Sequence, residues 1–149
     1  MGIRELTYRV IGAAMRVHSH FGPGFLEEVY QNALAGELGK QGLAFAAEVP
    51  LSVEYEGVCI GRYQADIIVE NRLVLELKAV EALNRKHEAQ LVHYLTATGI
   101  DDGLLLNFGA SSLQCKHKYR LPAAKAASAN PVNPADKTYL REKKRERQD

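Results

Sequence analysis

The sequence predicts a mixed α/β fold in which helices cover a sheet. Two helical patterns come first, β-rich segments follow, and a third helix leads into two more strands. The evidence is a change of period. Apolar residues recur at helical spacing up to Lys40, extended runs take over after Gly42, and the helical pattern returns between Asn84 and Thr98.

Taken in order, Leu6, Val10, Ala13, Ala14, Val17 and Phe21 place an amphipathic helix over residues 5–20, which Gly22-Pro23-Gly24 breaks. A second helix is expected from Phe25 to about Lys40, with Leu26, Val29, Tyr30, Ala33, Leu34 and Leu38 as its apolar stripe and Gly39 and Gly42 at its end. Phe45 to Val53 is extended, and Pro50 disfavours a central strand position there. Val53 to Ile60 reads as a hairpin turning at Glu56-Gly57. Tyr63 to Val69 and Leu73 to Val80 are strands on either side of Glu70-Asn71-Arg72. Asn84 is placed to cap a helix running to Thr98. Leu104 to Phe108 is a short apolar run, as in a strand covered on both faces. Gln114 to Leu121 alternates Lys116, Lys118 and Arg120 against Cys115, His117 and Tyr119.

After Pro122 the composition turns to Ala, Ser, Asn and Pro and then to charge, so residues 1–121 are expected to form the domain. Residues 122–149 then form a tail, flexible or a peripheral helix. The net charge of +1 hides an asymmetry: the tail holds seven Lys/Arg against four Asp/Glu, leaving twelve against fourteen in the rest. A slightly acidic domain is not a nucleic-acid binder by bulk charge. The two cysteines, Cys59 and Cys115, form no CxxC pair, and no apolar run approaches a membrane span. The expectation is a cytoplasmic protein with no membrane partner. His18, His20, His87, His93 and His117 show no zinc-ligand spacing.

Chemistry concentrates in Leu73 to Val80. Strand alternation puts Val74, Glu76, Lys78 and Val80 on one face and Leu73, Leu75, Leu77 and Ala79 on the other. A carboxylate and an ammonium thus stand together in an apolar run, and Asp66 stands among β-formers in the strand before. Burying such charges costs several kcal/mol each unless they pair or bind an ion. The bland reading is an exposed ion pair worth about 0–1 kcal/mol. Two carboxylates offer the hard oxygen donors that Mg²⁺ takes, and a lysine can hold the attacking water and offset transition-state charge. Geometry supplies a test. A two-residue loop at Asn71-Arg72 would set Asp66 opposite Leu77, on the wrong face from Glu76. A shared site requires an odd-numbered loop, such as Glu70-Asn71-Arg72, or a β-bulge.

Asp66 followed by Glu76-Leu77-Lys78 resembles the PD-(D/E)XK nuclease signature. Gly24-Phe25-Leu26-Glu27-Glu28-Val29-Tyr30 is similar to the segment that names the GxxExxY family within that superfamily. So are Ala65 to Val69, Glu76 to Val80, Ala89 to Leu95 and Gly103 to Gly109, in order, over about residues 5–120. Gln64-Ala65 stands where the superfamily name has a proline. The resemblance implies a restriction-endonuclease-like α/β core with a central four-stranded mixed sheet flanked by helices. It implies Asp66 and Glu76 as metal ligands, Lys78 as the catalytic lysine, Glu27 as a further acid from the preceding helix, and Gln90 pointing at the same site. Without it, Glu27 could merely favour its helix dipole and Gln90 could be a surface residue. Tyr30 and Tyr94 read as core or buttressing residues.

The functional expectation is a nuclease using Mg²⁺ (or Mn²⁺) on nucleic acid, DNA rather than RNA. Lys116, Lys118, Arg120, Arg85 and Lys86 are the candidate phosphate contacts. A homodimer would let such an enzyme address both strands, though no interface is legible. The alternative is a non-catalytic nucleic-acid- or protein-binding module on the same fold.

Overall fold

The computed structural model describes residues 1–121 and 129–131. The elements are α1 (Ile3–Phe21), α2 (Glu27–Lys40), β1 (Phe45–Tyr55), β2 (Val58–Val69), β3 (Leu73–Lys78), α3 (Arg85–Thr98), β4 (Asp102–Asn107), β5 (Gln114–Tyr119) and β6 (Ala129–Pro131). One sheet has the order β5-β4-β3-β2-β1-β6. Among the described strands only the β3–β4 pair is parallel, joined by the α3 crossover. The sheet is wider than the four strands expected, because the long β1–β2 hairpin extends it and Ala129–Pro131 from the tail adds to β1. The rest of the expected tail lies outside the described residues.

Helices cover both faces. Leu6, Val10, Ala14, Leu34 and Leu38 of α1 and α2 pack with Leu73, Leu75, Leu77, Leu104 and Leu106. Leu91, Tyr94 and Leu95 of α3 pack with Ala65, Ile68, Val74 and Leu105 on the other side. Strand β3 is therefore buried from Leu73 to Leu77, including Glu76. No described helix is long and apolar enough to cross a membrane.

Two local readings need correction. The second helix begins at Glu27, not Phe25: Leu26 is extended at its N-cap and 79% exposed, outside the stripe assigned to it. The segments Val53–Ile60 and Tyr63–Val69 are not separated, since β2 runs unbroken from Val58. Pro50 lies inside β1, opposite Gln64. It is tolerated where β6, which reaches only Leu51 to Val53, leaves the outer edge of β1 without a described neighbour.

The connection between β2 and β3 decides the site. The pairs Val69↔Leu73, Ile68↔Val74 and Ile67↔Leu75 leave Glu70-Asn71-Arg72 as an odd-numbered loop. Glu70 and Asn71 turn it with φ of 53° and 54°. Continuing this register sets Asp66 opposite Glu76 on the α3 side. A second irregularity sits at the same level: Ala47↔Ile67 and Val49↔Ala65 flank Glu48, whose φ is 53°. Ala65 and Ile68 both pack toward α3, so alternation breaks between them, around Asp66.

Candidate active site

Where the regular β2–β3 pairing stops, a side chain takes over. Asp66 Oδ2 accepts a hydrogen bond from the Leu77 backbone N–H at 2.7 Å. This holds the aspartate against β3 beside Glu76. The Glu76 side chain is walled in by the sheet and α3, leaving the residue only 3% exposed, and its Oε2 is buried with no hydrogen-bond partner among the described residues. Burial pushes its carboxyl far above the usual range, to about 10. The adjoining Asp66 carboxyl adds to the rise and Glu27 adds from further off, while Lys78 pulls the other way.

Lys78 follows on the same face. Its Nζ donates to Gln90 Oε1 at 2.9 Å, and Gln90 Nε2 donates to Tyr94 Oη at 3.1 Å. An ammonium only donates, so it fixes which end of the amide faces it. The amide N–H then fixes Tyr94 as acceptor. The Tyr94 hydroxyl keeps its own proton firmly, because burial and then the charges of Glu76 and Asp66 raise its pKa. Gln90 and Tyr94 are four apart on α3, so one helix face carries both. That spacing was the available signal for Tyr94, read from sequence only as a buttress.

Two further supports come from outside these strands. The Tyr30 hydroxyl donates to the Gly22 carbonyl at 2.5 Å and accepts from the Phe25 N–H at 3.1 Å, and its ring stacks on Phe108 at 4.8 Å. It thus ties down the turn that delivers Glu27, which is exposed at the first position of α2. Asn107, fully buried, closes the far end of β3. Its Oδ1 accepts from the N–H groups of Val80 and Gly109, and its Nδ2 donates to the carbonyls of Val80 and Gln114's side chain. Phe108 N–H meanwhile donates to the Lys78 carbonyl at 2.8 Å. Sequence reading passed over Asn107; an asparagine inside the apolar run Leu104–Phe108 was the clue, since a buried amide needs partners.

The candidate phosphate contacts are spread out. Lys116 lies on the sheet row that runs through Leu105 to Glu76, about 10 Å away by two strand spacings. Lys118 is paired with Glu88 at 2.6 Å. Arg120 is paired with Asp101 at 2.8 Å, at the opposite end of the strands. Arg85 and Lys86 are exposed in the first turn of α3. A cavity of about 480 Å³ lined by Ile3, Thr7, Tyr8, Asp102 and His117 also lies at that opposite end, away from the carboxylates.

Among the described residues no three His, Cys, Asp or Glu side chains are grouped to hold a metal ion. The pair Asp66 and Glu76 nevertheless fits a hard divalent cation. Both donors are oxygens, and the orphaned Glu76 Oε2 is a buried acceptor lacking the partner such an ion would provide.

The model of the PD-(D/E)XK nuclease superfamily matches residues 4–119. No curated protein matches. Among solved structures, the chain is similar to one titled "Crystal structure of SSO0001", with 20% identity and a TM-score of 0.52. The alignment covers 83% of this chain and 59% of that one, so this chain spans about three-fifths of its length, and the likeness speaks to fold alone. Mixed sheet, flanking helices and the carboxylate–lysine strand thus meet in a restriction-endonuclease-like α/β fold, and the chain belongs to the PD-(D/E)XK nuclease superfamily.

Proposed function

We propose that this protein is a divalent-metal-dependent nuclease of the GxxExxY type that cleaves phosphodiester bonds in nucleic acid, DNA before RNA, in the cytoplasm. The observation that carries the reading is Glu76: a carboxyl group buried in a core strand beside Asp66, with one oxygen unpartnered among the described residues. A structural role does not account for that arrangement, which costs free energy in the absence of a ligand.

Asp66 and Glu76 would hold Mg²⁺ or Mn²⁺, with the Leu77 carbonyl as a further oxygen. When bound, the cation supplies charge neutralisation at the phosphate and an acidified water. Lys78 orients the attacking water and stabilises developing charge with its Nζ. Gln90 positions that Nζ through the 2.9 Å bond, and Tyr94 fixes the Gln90 amide. Glu27 adds negative charge at the rim. Lys116, Arg85 and Lys86 are the proposed backbone contacts. Lys118 and Arg120 would have to leave acidic partners to join them.

Purified protein should cut DNA oligonucleotides with Mg²⁺ or Mn²⁺ and not with a chelator. Asp66→Asn and Lys78→Ala should abolish cutting while keeping the fold by circular dichroism. No cleavage across single-stranded, duplex and branched DNA and RNA, or full activity in Lys78→Ala, would sink the proposal. The grouping of two rather than three protein carboxylates favours one rival, a binding module without chemistry. Calorimetry separates them: the enzyme binds Mg²⁺ through Asp66, whereas the module binds nucleic acid with no metal dependence.

A further inference from the structure

Tyr63 is placed for a task that the hydrolytic site does not use. It lies on β2, three residues before Asp66, and remains 47% exposed. Its ring is nonetheless held. The centroid sits 5.9 Å from that of Tyr94, the residue bonded to Gln90. The ring also lies against Gly61, where a Cβ would meet Tyr63 Cε2 at 3.3 Å and Oη at 3.5 Å. That is tighter than an ordinary contact, so glycine leaves the ring room to lie along the strand. An aromatic ring packed against two neighbours yet 47% exposed is a platform rather than a loose surface residue.

We infer that Tyr63 is a base-stacking subsite, and that the nucleic acid entering the site has an unpaired nucleobase next to the scissile phosphate. Stacking on a side chain needs a free π-face, which a base inside a duplex does not offer. The surroundings agree. Lys86, Gln90 and Tyr94 follow at four-residue steps on one face of α3, each about 6 Å from the next. That face runs from the platform, past Lys78, to an exposed cation suited to the next phosphate. Elsewhere on the α3 side, Lys118 is already matched by an acid, and residues 1–121 carry two more acidic than basic groups. A held ring beside a few exposed cations, Arg85, Lys86 and Lys116, suits a single strand, which binds by stacking as well as by charge. This inference rests on the nuclease reading for the scissile phosphate, but its binding part does not.

The chain contains no tryptophan, so Tyr63→Trp gives a single reporter. In a Lys78→Ala background, oligo(dT) and oligo(U) of 12 nucleotides should each quench its fluorescence, and a blunt duplex of equal length should not. The preference between the two oligomers tells DNA from RNA. Tyr63→Ala should weaken oligomer binding about ten-fold by anisotropy, whereas Tyr63→Phe, which keeps the ring, should bind within two-fold of the parent. Equal quenching by the duplex, unaltered binding by Tyr63→Ala, or no binding of either oligomer would overturn the inference. Quenching without cleavage by the Lys78 form would leave the subsite standing and the nuclease reading refuted. Cleavage that ignores Tyr63→Ala would do the reverse.

Discussion

Replacing Glu76 with glutamine should stabilise the metal-free protein while destroying its function. Glu76 is 3% exposed, and the pKa of its carboxyl rises from 4.5 to about 10, first through burial and then through Asp66. A group whose folded pKa is raised contributes stability that is fully present below its unfolded pKa. That contribution is lost progressively as pH climbs toward the folded value. Here the window runs from about pH 4.5 upward. At 1.36 kcal/mol per pH unit, the loss accumulated by pH 7 is about 3 kcal/mol. Glutamine is neutral in both states and has nearly the same shape, and its amide can donate toward Asp66. Glu76→Gln should therefore match wild type near pH 4.5 and exceed it by about 3 kcal/mol at pH 7 with a chelator present. In a domain of this size that is roughly a 10 °C rise in Tm. Urea unfolding of both proteins at several pH values between 4.5 and 7.5 measures the difference directly. A difference that stays constant across this range, or a glutamine variant less stable at pH 7, would refute the argument that Glu76 is held at a cost.

Other outcomes follow from the same contacts. Mg²⁺ at about 100 times its Kd should raise unfolding free energy by about 2.7 kcal/mol through binding the folded state alone; thermal shift should show this for wild type and not for Asp66→Asn. Gln90→Ala removes the acceptor at 2.9 Å from Lys78 Nζ and should lower kcat about 10–100-fold, as losses of supporting contacts do, with little change in Tm. A matching loss of stability would mean that Gln90 is only structural. Tyr30→Phe deletes the hydroxyl that joins Gly22 to Phe25 and should cost about 1–3 kcal/mol in chemical denaturation; a variant as stable as wild type would show that this turn holds without it.

Much of the fold was legible because its elements differ in period and end on strong signals. Asn84 illustrates this: its side chain accepts from His87 N–H, while His87 returns a bond to the Asn84 N–H, so the α3 boundary was written locally. Leu26 shows the opposite case. It fits a helical stripe by spacing, but the turn pinned by Tyr30 consumes the residues before Glu27 and leaves Leu26 in solvent. No local pattern reports a contact made through a hydroxyl eight residues away. For the site, face alternation joined Glu76 to Lys78 and demanded an odd loop before Asp66 could join them. The Glu70–Arg72 connection meets that demand. Tyr94 and Asn107 were harder to read, since their roles depend on partners from other strands and helices.

The two irregularities at one level of the sheet explain why Asp66 can serve at all. A regular strand residue there would spend its backbone on neighbours and project its side chain into the α3-side core, where Ile68 and Val74 already lie. Glu48, between the pairs Ala47↔Ile67 and Val49↔Ala65, takes φ 53°, and alternation breaks between Ala65 and Ile68. At this break the Asp66 carboxylate accepts from the Leu77 N–H instead. Glu76, one position earlier on the buried strand, then meets a carboxylate where a neighbouring strand would otherwise offer apolar cover. The sheet is thus interrupted where the charges sit, and its regular parts on either side, Val69↔Leu73 and Leu77↔Leu106, keep the interruption from spreading. Stability supplied by the apolar faces offsets the cost of one orphaned oxygen, and that oxygen is the feature a cation would use.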